Sequence, residues 1–251
     1  MDLELADKVV LITGASGGLG RELAIEFGRY GARVAVHFHK NAEAADVVAQ
    51  SVDAVGGDAL TVSADLTSRA SVQAMIAEIG VEWGGVDVLV NGAVSFESGI
   101  PIESIMPDQW HRMVDTVLTG AYYTISLCAP HMRQRKWGRI VNIASRTGLV
   151  GGAKRAHYTA AKAGLIGLTR AMAKELGPDN ILVNAVAPTR ILTPKERERR
   201  SPEEQERIAR QIPLGRIATP SDVAHIVLFL GSGWNTYVTG EVITVGGGVN
   251  E

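Results

Sequence analysis

The chain has 251 residues, 46% of them hydrophobic, with 28 glycines and a formal net charge of −2. That size and apolar content suit a folded protein with a large core and many tight turns, and exclude a disordered chain. The near-neutral balance excludes a global field that would recruit nucleic acid or an anionic membrane.

At the start, "MDLELADK" carries acids and lacks the basic segment and apolar run of a secretory signal. No stretch approaches the roughly 20 apolar residues of a membrane span. The one cysteine, Cys128, has no internal partner, which fits a reducing compartment. The expectation is a cytoplasmic protein with neither a nucleic-acid nor a membrane partner.

Further along, short β-branched runs alternate with longer segments of helical spacing. Strands are predicted at 8–13 ("KVVLIT"), 33–38 ("RVAVHF"), 59–64 ("ALTVSA"), 86–91 ("VDVLVN"), 139–144 ("RIVNIA"), 181–186 ("ILVNAV") and 241–245 ("EVITV"). Several are apolar nearly throughout, as in strands buried on both faces of a parallel sheet. Helices are predicted between them, among them 18–31 and 157–177, the second ending at Gly177-Pro178. This alternation predicts an α/β fold with a doubly wound parallel sheet, whose ligands bind at the carboxyl ends of the strands where strand order reverses.

The first such end carries "TGASGGLG", residues 13–20. Gly14, Gly18 and Gly20 give a variant of the dinucleotide fingerprint: Gly14 for the tight turn, Gly18 for approach of backbone amides to a pyrophosphate, Gly20 for close helix packing. A ligand-free glycine turn is the alternative; its place between a buried strand and an amphipathic helix favours the nucleotide. After the second strand the chain reads "HFHKN", residues 37–41, with no acid before Glu43. An acid there would hold a ribose 2′-hydroxyl, whereas His39 and Lys40 tolerate or attract a 2′-phosphate, so NADP is expected, with NAD as the alternative. A merely solvated strand end would read the same way.

In "AHYTAAKAG", residues 156–164, Tyr158 and Lys162 are four apart and share a helix face. Ser145 ends the strand "RIVNIAS" thirteen residues before Tyr158. Taken singly, each of the three fits an ordinary structural role; beside the glycine loop they form a candidate site. Cys128 and His131 read as buried helix residues rather than a thiol nucleophile. No cluster has metal-ligand spacing, and no metal is expected.

With "TGASGGLG", "SADL" (63–66), "LVNGA" (89–93), Ser145, "YTAAK" (158–162), "NAVAP" (184–188), Thr193 and "VTGEVITVGGG" (238–248), the sequence resembles the short-chain dehydrogenase/reductase family over essentially its whole length. The likeness is greatest to bacterial 3-oxoacyl-carrier-protein reductases and glucose dehydrogenases. The resemblance implies one domain over 1–251, a three-layer Rossmann-like sheet of about seven strands, and hydride transfer between NAD(P) and a small-molecule ketone or secondary alcohol. It also implies a homotetramer, formed through helices near 107–133 and 155–177. Tyr158 would be the acid/base, Ser145 would bond the reacting oxygen, and Lys162 would bind the nicotinamide ribose and favour tyrosinate. Moving a phenol from about 10 to about 7 needs roughly 4 kcal/mol, which one charge about 4 Å away supplies at an effective dielectric of about 20. The cofactor would be held by Gly14, Ser16, Gly17, Gly18, Leu19 and Gly20 of the loop, by His39 and Lys40, and by Asp65 and Leu66 at the adenine. Asn91 and Gly92 on the adenosine side, Tyr158, Lys162, and Thr193 at the carboxamide complete the set. Residues 189–212, with seven basic and five acidic side chains, match the substrate lid.

Three positions depart from the family pattern. "NGAV" (91–94) replaces "NNAG", Thr189 replaces the glycine after Pro188, and Val117 in "DTVLTGA" stands where the family has a water-holding asparagine. A β-branched residue at 189 predicts an altered first turn of the lid. The valine leaves open a second reading, a cofactor-binding protein of this fold with little catalysis, acting as a sensor or inert subunit.

Overall fold

The computed structural model describes residues 3–95 and 99–249. Seven strands form one sheet: β1 (Val9–Thr13), β2 (Arg33–Phe38), β3 (Asp58–Ser63), β4 (Val88–Asn91), β5 (Gly138–Ile143), β6 (Ile181–Pro188) and β7 (Val242–Val245). They are all parallel, in the order β3-β2-β1-β4-β5-β6-β7. Each predicted strand is present, with ends displaced by at most two residues.

The helices are α1 (Gly18–Arg29), α2 (Ala42–Asp53), α3 (Arg69–Trp83), α4 (Pro107–Val114), α5 (Gly120–Arg135), α6 (Thr147–Val150), α7 (Ala156–Leu176), α8 (Pro194–Arg199), α9 (Pro202–Ala209) and α10 (Pro220–Gly231). The strand period of two sorts the core. From β1, Val10 and Ile12 pack with Phe27 of α1, Val48 of α2 and Val227 of α10. Val9 and Leu11 point the other way, to Met75 of α3, Cys128 of α5 and Leu176 of α7. The sheet is thus covered on both faces, and the chain forms a three-layer Rossmann-like structure.

Local chemistry explains the helix ends. Thr219 and Asp222 form a capping box at α10, with Pro220 at its first position. Arg216 adds two contacts to the Asp222 carboxylate, at 2.6 and 2.7 Å. The segment 189–212 contains α8 and α9, capped by Thr193 and Ser201. At the opposite end of the sheet, Arg139 is buried, its guanidinium donating to the carbonyls of Gly138, Asn180, Ser232 and Asn235. It stacks 4.5 Å from the Trp137 ring.

Strand order reverses between β1 and β4, because β2 continues from β1 on one side and β4 on the other. The crevice at their carboxyl ends is where a ligand of such a sheet lies, and it opens onto the glycine loop.

Candidate active site and cofactor cleft

The glycine loop turns at Gly14, which has φ +73°. Its close approaches explain the missing side chains. A Cβ at Gly14 would lie 2.8 Å from Ala93 Cα, one at Gly18 3.0 Å from Thr193 Cβ, and one at Gly20 2.3 Å from the Gly14 carbonyl oxygen. Gly20 therefore folds the loop onto itself, a tighter role than the helix-on-sheet packing expected of it. The loop leads directly into α1, whose N-cap Gly17 offers no side chain, so the first-turn amides are left for a ligand. This cradle fits a dinucleotide pyrophosphate.

A residue outside the predicted set holds the cradle in place. His37 of β2 is 2% exposed. Its Nδ1 accepts the Gly14 N–H at 3.0 Å, and its Nε2 faces the Ala64 carbonyl at 3.1 Å. The two contacts require the neutral Nε2–H tautomer. Burial depresses the imidazole pKa from 6.5 to about 4, which keeps it neutral. His37 thus joins the glycine turn to the segment carrying Asp65. The signal in the sequence was a histidine inside an otherwise apolar strand.

The other cofactor candidates sort unevenly. His39 lies beyond the end of β2, and its Nε2 is 4.0 Å from Asp65 Oδ2. Asp65 is bonded to Thr67, and that hydroxyl and amide, with His39 and Lys40, hold its carboxyl below the usual range. An acid therefore does stand beside His39 and Lys40, delivered by the segment after β3 rather than by β2. Leu66 is buried, and Gly92 donates its N–H to Thr13 Oγ1 at 3.0 Å. Thr193 caps α8 and packs against Gly18, so α8 begins on the glycine loop.

The side chain of Asn91 is occupied within the protein. Its Nδ2 donates to Asn142 Oδ1 at 2.9 Å and its Oδ1 accepts from Thr124 at 2.7 Å. Asn142 in turn bonds Thr169 at 2.9 Å. Buried at 6% exposure, the Asn91 amide is committed to this internal chain of bonds. What Asn91 can offer an adenosine is its backbone.

Ser145, Tyr158 and Lys162 converge as predicted. Ser145 is buried just beyond β5, its Oγ accepting the Thr147 N–H at 3.2 Å, and its hydroxyl is hydrogen-bonded with the Tyr158 phenol. Lys162 is buried, with Nζ donating to the Ile143 carbonyl at 2.5 Å and lying 5.9 Å from the Tyr158 ring centre. Burial sets the electrostatics of the pair. Burial pushes the Tyr158 phenol above its ordinary value, and the groups opposing that rise are the Ser145 hydroxyl and the Arg155 guanidinium. Lys162 is itself desolvated, its pKa lowered from 10.5 to about 8. A lysine deprived of water loses part of the advantage of its charge, and the simple one-lysine argument left that cost out.

A full-length likeness now has its geometry. A family profile described as enoyl-(acyl carrier protein) reductase matches residues 14–250. The chain belongs to the short-chain dehydrogenase/reductase family. It is 37% identical over 246 residues to a 3-oxoacyl-[acyl-carrier-protein] reductase of Staphylococcus aureus, covering 96% of this chain and 98% of that one. It is 40% identical to an L-rhamnose 1-dehydrogenase (NAD(P)(+)) of Azotobacter vinelandii, covering 98% and 97%. A crystal structure provisionally described as a gluconate dehydrogenase from Agrobacterium tumefaciens superposes with a TM-score of 0.92 at 32% identity, covering 99% and 98%. This short-chain dehydrogenase/reductase is an NAD(P)-dependent oxidoreductase.

Against the short-chain dehydrogenase/reductase pattern, Val117 sits inside a single π-helical turn, Asp115–Thr119, between α4 and α5. It is 3% exposed and packs with Met113, Ala161 and Leu165, partly covered by Tyr158. Of the neighbouring hydroxyls, Thr119 is bonded to Asp115 at 3.2 Å, while Thr116 lines a small cleft with Asn91, Val117 and Leu165. Thr189 is not in the left-handed region; its N–H donates to the Val245 carbonyl at 3.1 Å, so the chain stays on the sheet before α8. Cys128 is buried in α5, and burial pushes its thiol up to about 12. A cavity of about 300 Å³ beside Ile212, Ile226 and Ile243 contains none of the predicted site residues.

Proposed function

We propose that this protein is an NADP-preferring reductase or dehydrogenase acting on the carbonyl or secondary alcohol of a small molecule. The observation that carries it is the hydrogen-bonded Ser145–Tyr158 pair at the carboxyl end of the sheet, in a chain whose glycine loop leaves its first-turn amides free. The bound nicotinamide would supply or accept the hydride. Tyr158 would give its proton to the carbonyl oxygen and take it back in the reverse direction. Ser145 would hold that oxygen, and Lys162, anchored by Ile143, would present its ammonium to the ribose hydroxyls. Lys40 supports NADP, because its charge offsets that of Asp65, and His39 adds a ring that can donate to a 2′-phosphate. An inert cofactor-binding role is disfavoured, since all three catalytic candidates are present and adjacent.

Absorbance of the reduced nicotinamide, followed with NADPH and NADH against oxoacyl thioesters, aldoses and sugar acids, tests the reading. Those classes are the ones named for the relatives. Absence of turnover with every class, by a protein that binds NADPH, would revive the inert reading.

We also infer a homotetramer in a reducing, cytoplasmic setting. On α7 the solvent-facing positions Ala160, Ala163, Gly167 and Ala171 are small, which permits another helix to approach closely. Light scattering tests this; a stable species at the 26.7 kDa of one chain would refute it. Among the described residues, no helix is long and apolar enough to cross a membrane.

A further inference from the structure

At the carboxyl ends of β6 and β7, on the α10 side of the sheet, lies the cavity of about 300 Å³. Its walls are apolar: Ile212 and Leu214 from the segment after α9, Ile226 from α10, and Ile243 and Val245 from β7. The last three are only partly buried where they pack against the core around Phe27 and Val227. Leu214 is 68% exposed, so the cavity reaches the surface. Its walls are drawn together by backbone contact at Gly247. A Cβ there would lie 2.8 Å from Ile212 Cγ2, and the Gly247 carbonyl accepts the Leu214 N–H at 3.1 Å.

The polar groups beside these walls are already engaged. Arg216 holds the Asp222 carboxylate through contacts of 2.6 and 2.7 Å, and Asp222 also accepts the Thr219 N–H and hydroxyl at 2.7 and 2.9 Å. The two charges on the lining therefore neutralise each other. The Thr189 hydroxyl donates to the Val245 carbonyl at 3.4 Å. What remains for a ligand is apolar surface without net charge, where a water molecule finds few partners. Close-packed chains leave few spaces larger than a water molecule. An apolar cavity of about 150 Å³ is enough to take up benzene, so this one has room for two fused rings.

We propose that this cavity binds a small, neutral, apolar molecule of about the bulk of two fused rings, at a site separate from Ser145 and Tyr158. The match is one of charge and chemistry: hydrocarbon walls, with their only ionised lining groups paired to each other. The assignment does not depend on the reaction catalysed. An occupant would also brace the chain that leads to the cofactor loop. Ala218, on the cavity wall, accepts the Leu192 N–H at 2.8 Å, and the next residue, Thr193, packs against Gly18.

The test titrates the full-length protein with naphthalene, toluene and 2-naphthoate, followed by ligand-observed NMR. Naphthalene should bind about fivefold more tightly than toluene, for about 40 Å² more apolar surface removed from water. The carboxylate of 2-naphthoate should bring no gain. Ile226→Phe from α10 and Val245→Phe from β7 each place a ring in the cavity and should abolish naphthalene binding. Retained NADPH binding shows that a variant is folded, and either variant alone decides if the other fails to fold. In the wild type, naphthalene should slow hydrogen exchange at the Leu192 and Leu214 amides. No binding of naphthalene by the wild type would overturn the proposal. Binding unchanged in a folded phenylalanine variant would do the same, by placing the ligand elsewhere, the catalytic cleft included. Tighter binding of 2-naphthoate would show that Arg216 leaves Asp222 for an anion and would overturn the neutral class. An affinity for naphthalene that rises as the protein is diluted would show that a second copy fills the cavity instead.

Discussion

Replacing His37 by leucine should weaken both the fold and the cofactor cleft, and by a predictable amount. The imidazole occupies two buried groups, the Gly14 N–H at 3.0 Å and the Ala64 carbonyl at 3.1 Å. Leucine fills similar space and satisfies neither. Each unpaired buried group costs about 1–3 kcal/mol, so the pair should cost about 2–6 kcal/mol. At roughly 2–4 °C per kcal/mol for a chain of this size, the melting temperature should fall by about 5–20 °C. Loosening the Gly14 turn should also raise the NADPH Kd, by about tenfold for each 1.4 kcal/mol lost from the cradle. His37→Asn, whose amide can still accept from Gly14, should fall between the two. The pH dependence gives an internal check. The folded pKa of about 4 lies below the ordinary 6.5, so the fold favours the neutral ring. This stabilisation is complete above pH 6.5 and lost as the pH falls towards 4, and at 1.36 kcal/mol per unit it is worth about 3 kcal/mol. The leucine variant has no such loss, so the stability gap between it and the wild type should narrow by about 3 kcal/mol between pH 7 and pH 4. Denaturant melts and cofactor titration at several pH values measure this. A folded His37→Leu with unchanged NADPH affinity, or a gap that stays constant with pH, would refute the reasoning.

Tyr158→Phe should reduce turnover by about a hundredfold or more while retaining cofactor binding; survival of activity would place the acid elsewhere. Lys40→Asp should shift preference towards NADH by repelling a 2′-phosphate, read as the ratio of the two Kd values, and an unmoved ratio would show that Asp65 and His39 set the selectivity. Val117→Asn places an amide among Met113, Ala161 and Leu165, and should cost about 1–3 kcal/mol of stability if the amide stays unpaired. If the asparagine instead holds a water that relays protons towards Lys162, the solvent isotope effect on turnover should shrink. An unchanged rate and isotope effect in a folded variant would show that another route, such as one through Thr116, already suffices. Arg139→Met should lower the melting temperature with little change in the KM of a substrate, because its four carbonyl partners lie at the far end of the sheet from Ser145.

The sequence by itself determined the architecture and singled out the candidate reacting groups. Strand runs were legible because parallel strands buried on both faces must be apolar nearly throughout; the turn at Gly14 was legible because few residues tolerate φ +73°. The face shared by Tyr158 and Lys162 follows from helical spacing alone. Tertiary structure decided what those residues meet. Asn91 looked available and proved committed to Thr124 and Asn142, because its partners come from α5 and β5, far away in the chain. His39 and Lys40 showed no acid in their own strand, yet Asp65 arrives beside His39 from the segment after β3. Lys162 has the spacing to face the phenol, but folding buries it on the Ile143 carbonyl, and burial raises the phenol rather than lowering it. His37 was one more residue in an apolar run until folding set Gly14 and Ala64 on either side of its ring. Periodicity and residue type report the local backbone and the side that is buried. Hydrogen-bond partners and desolvation depend on segments that only the packed sheet brings together.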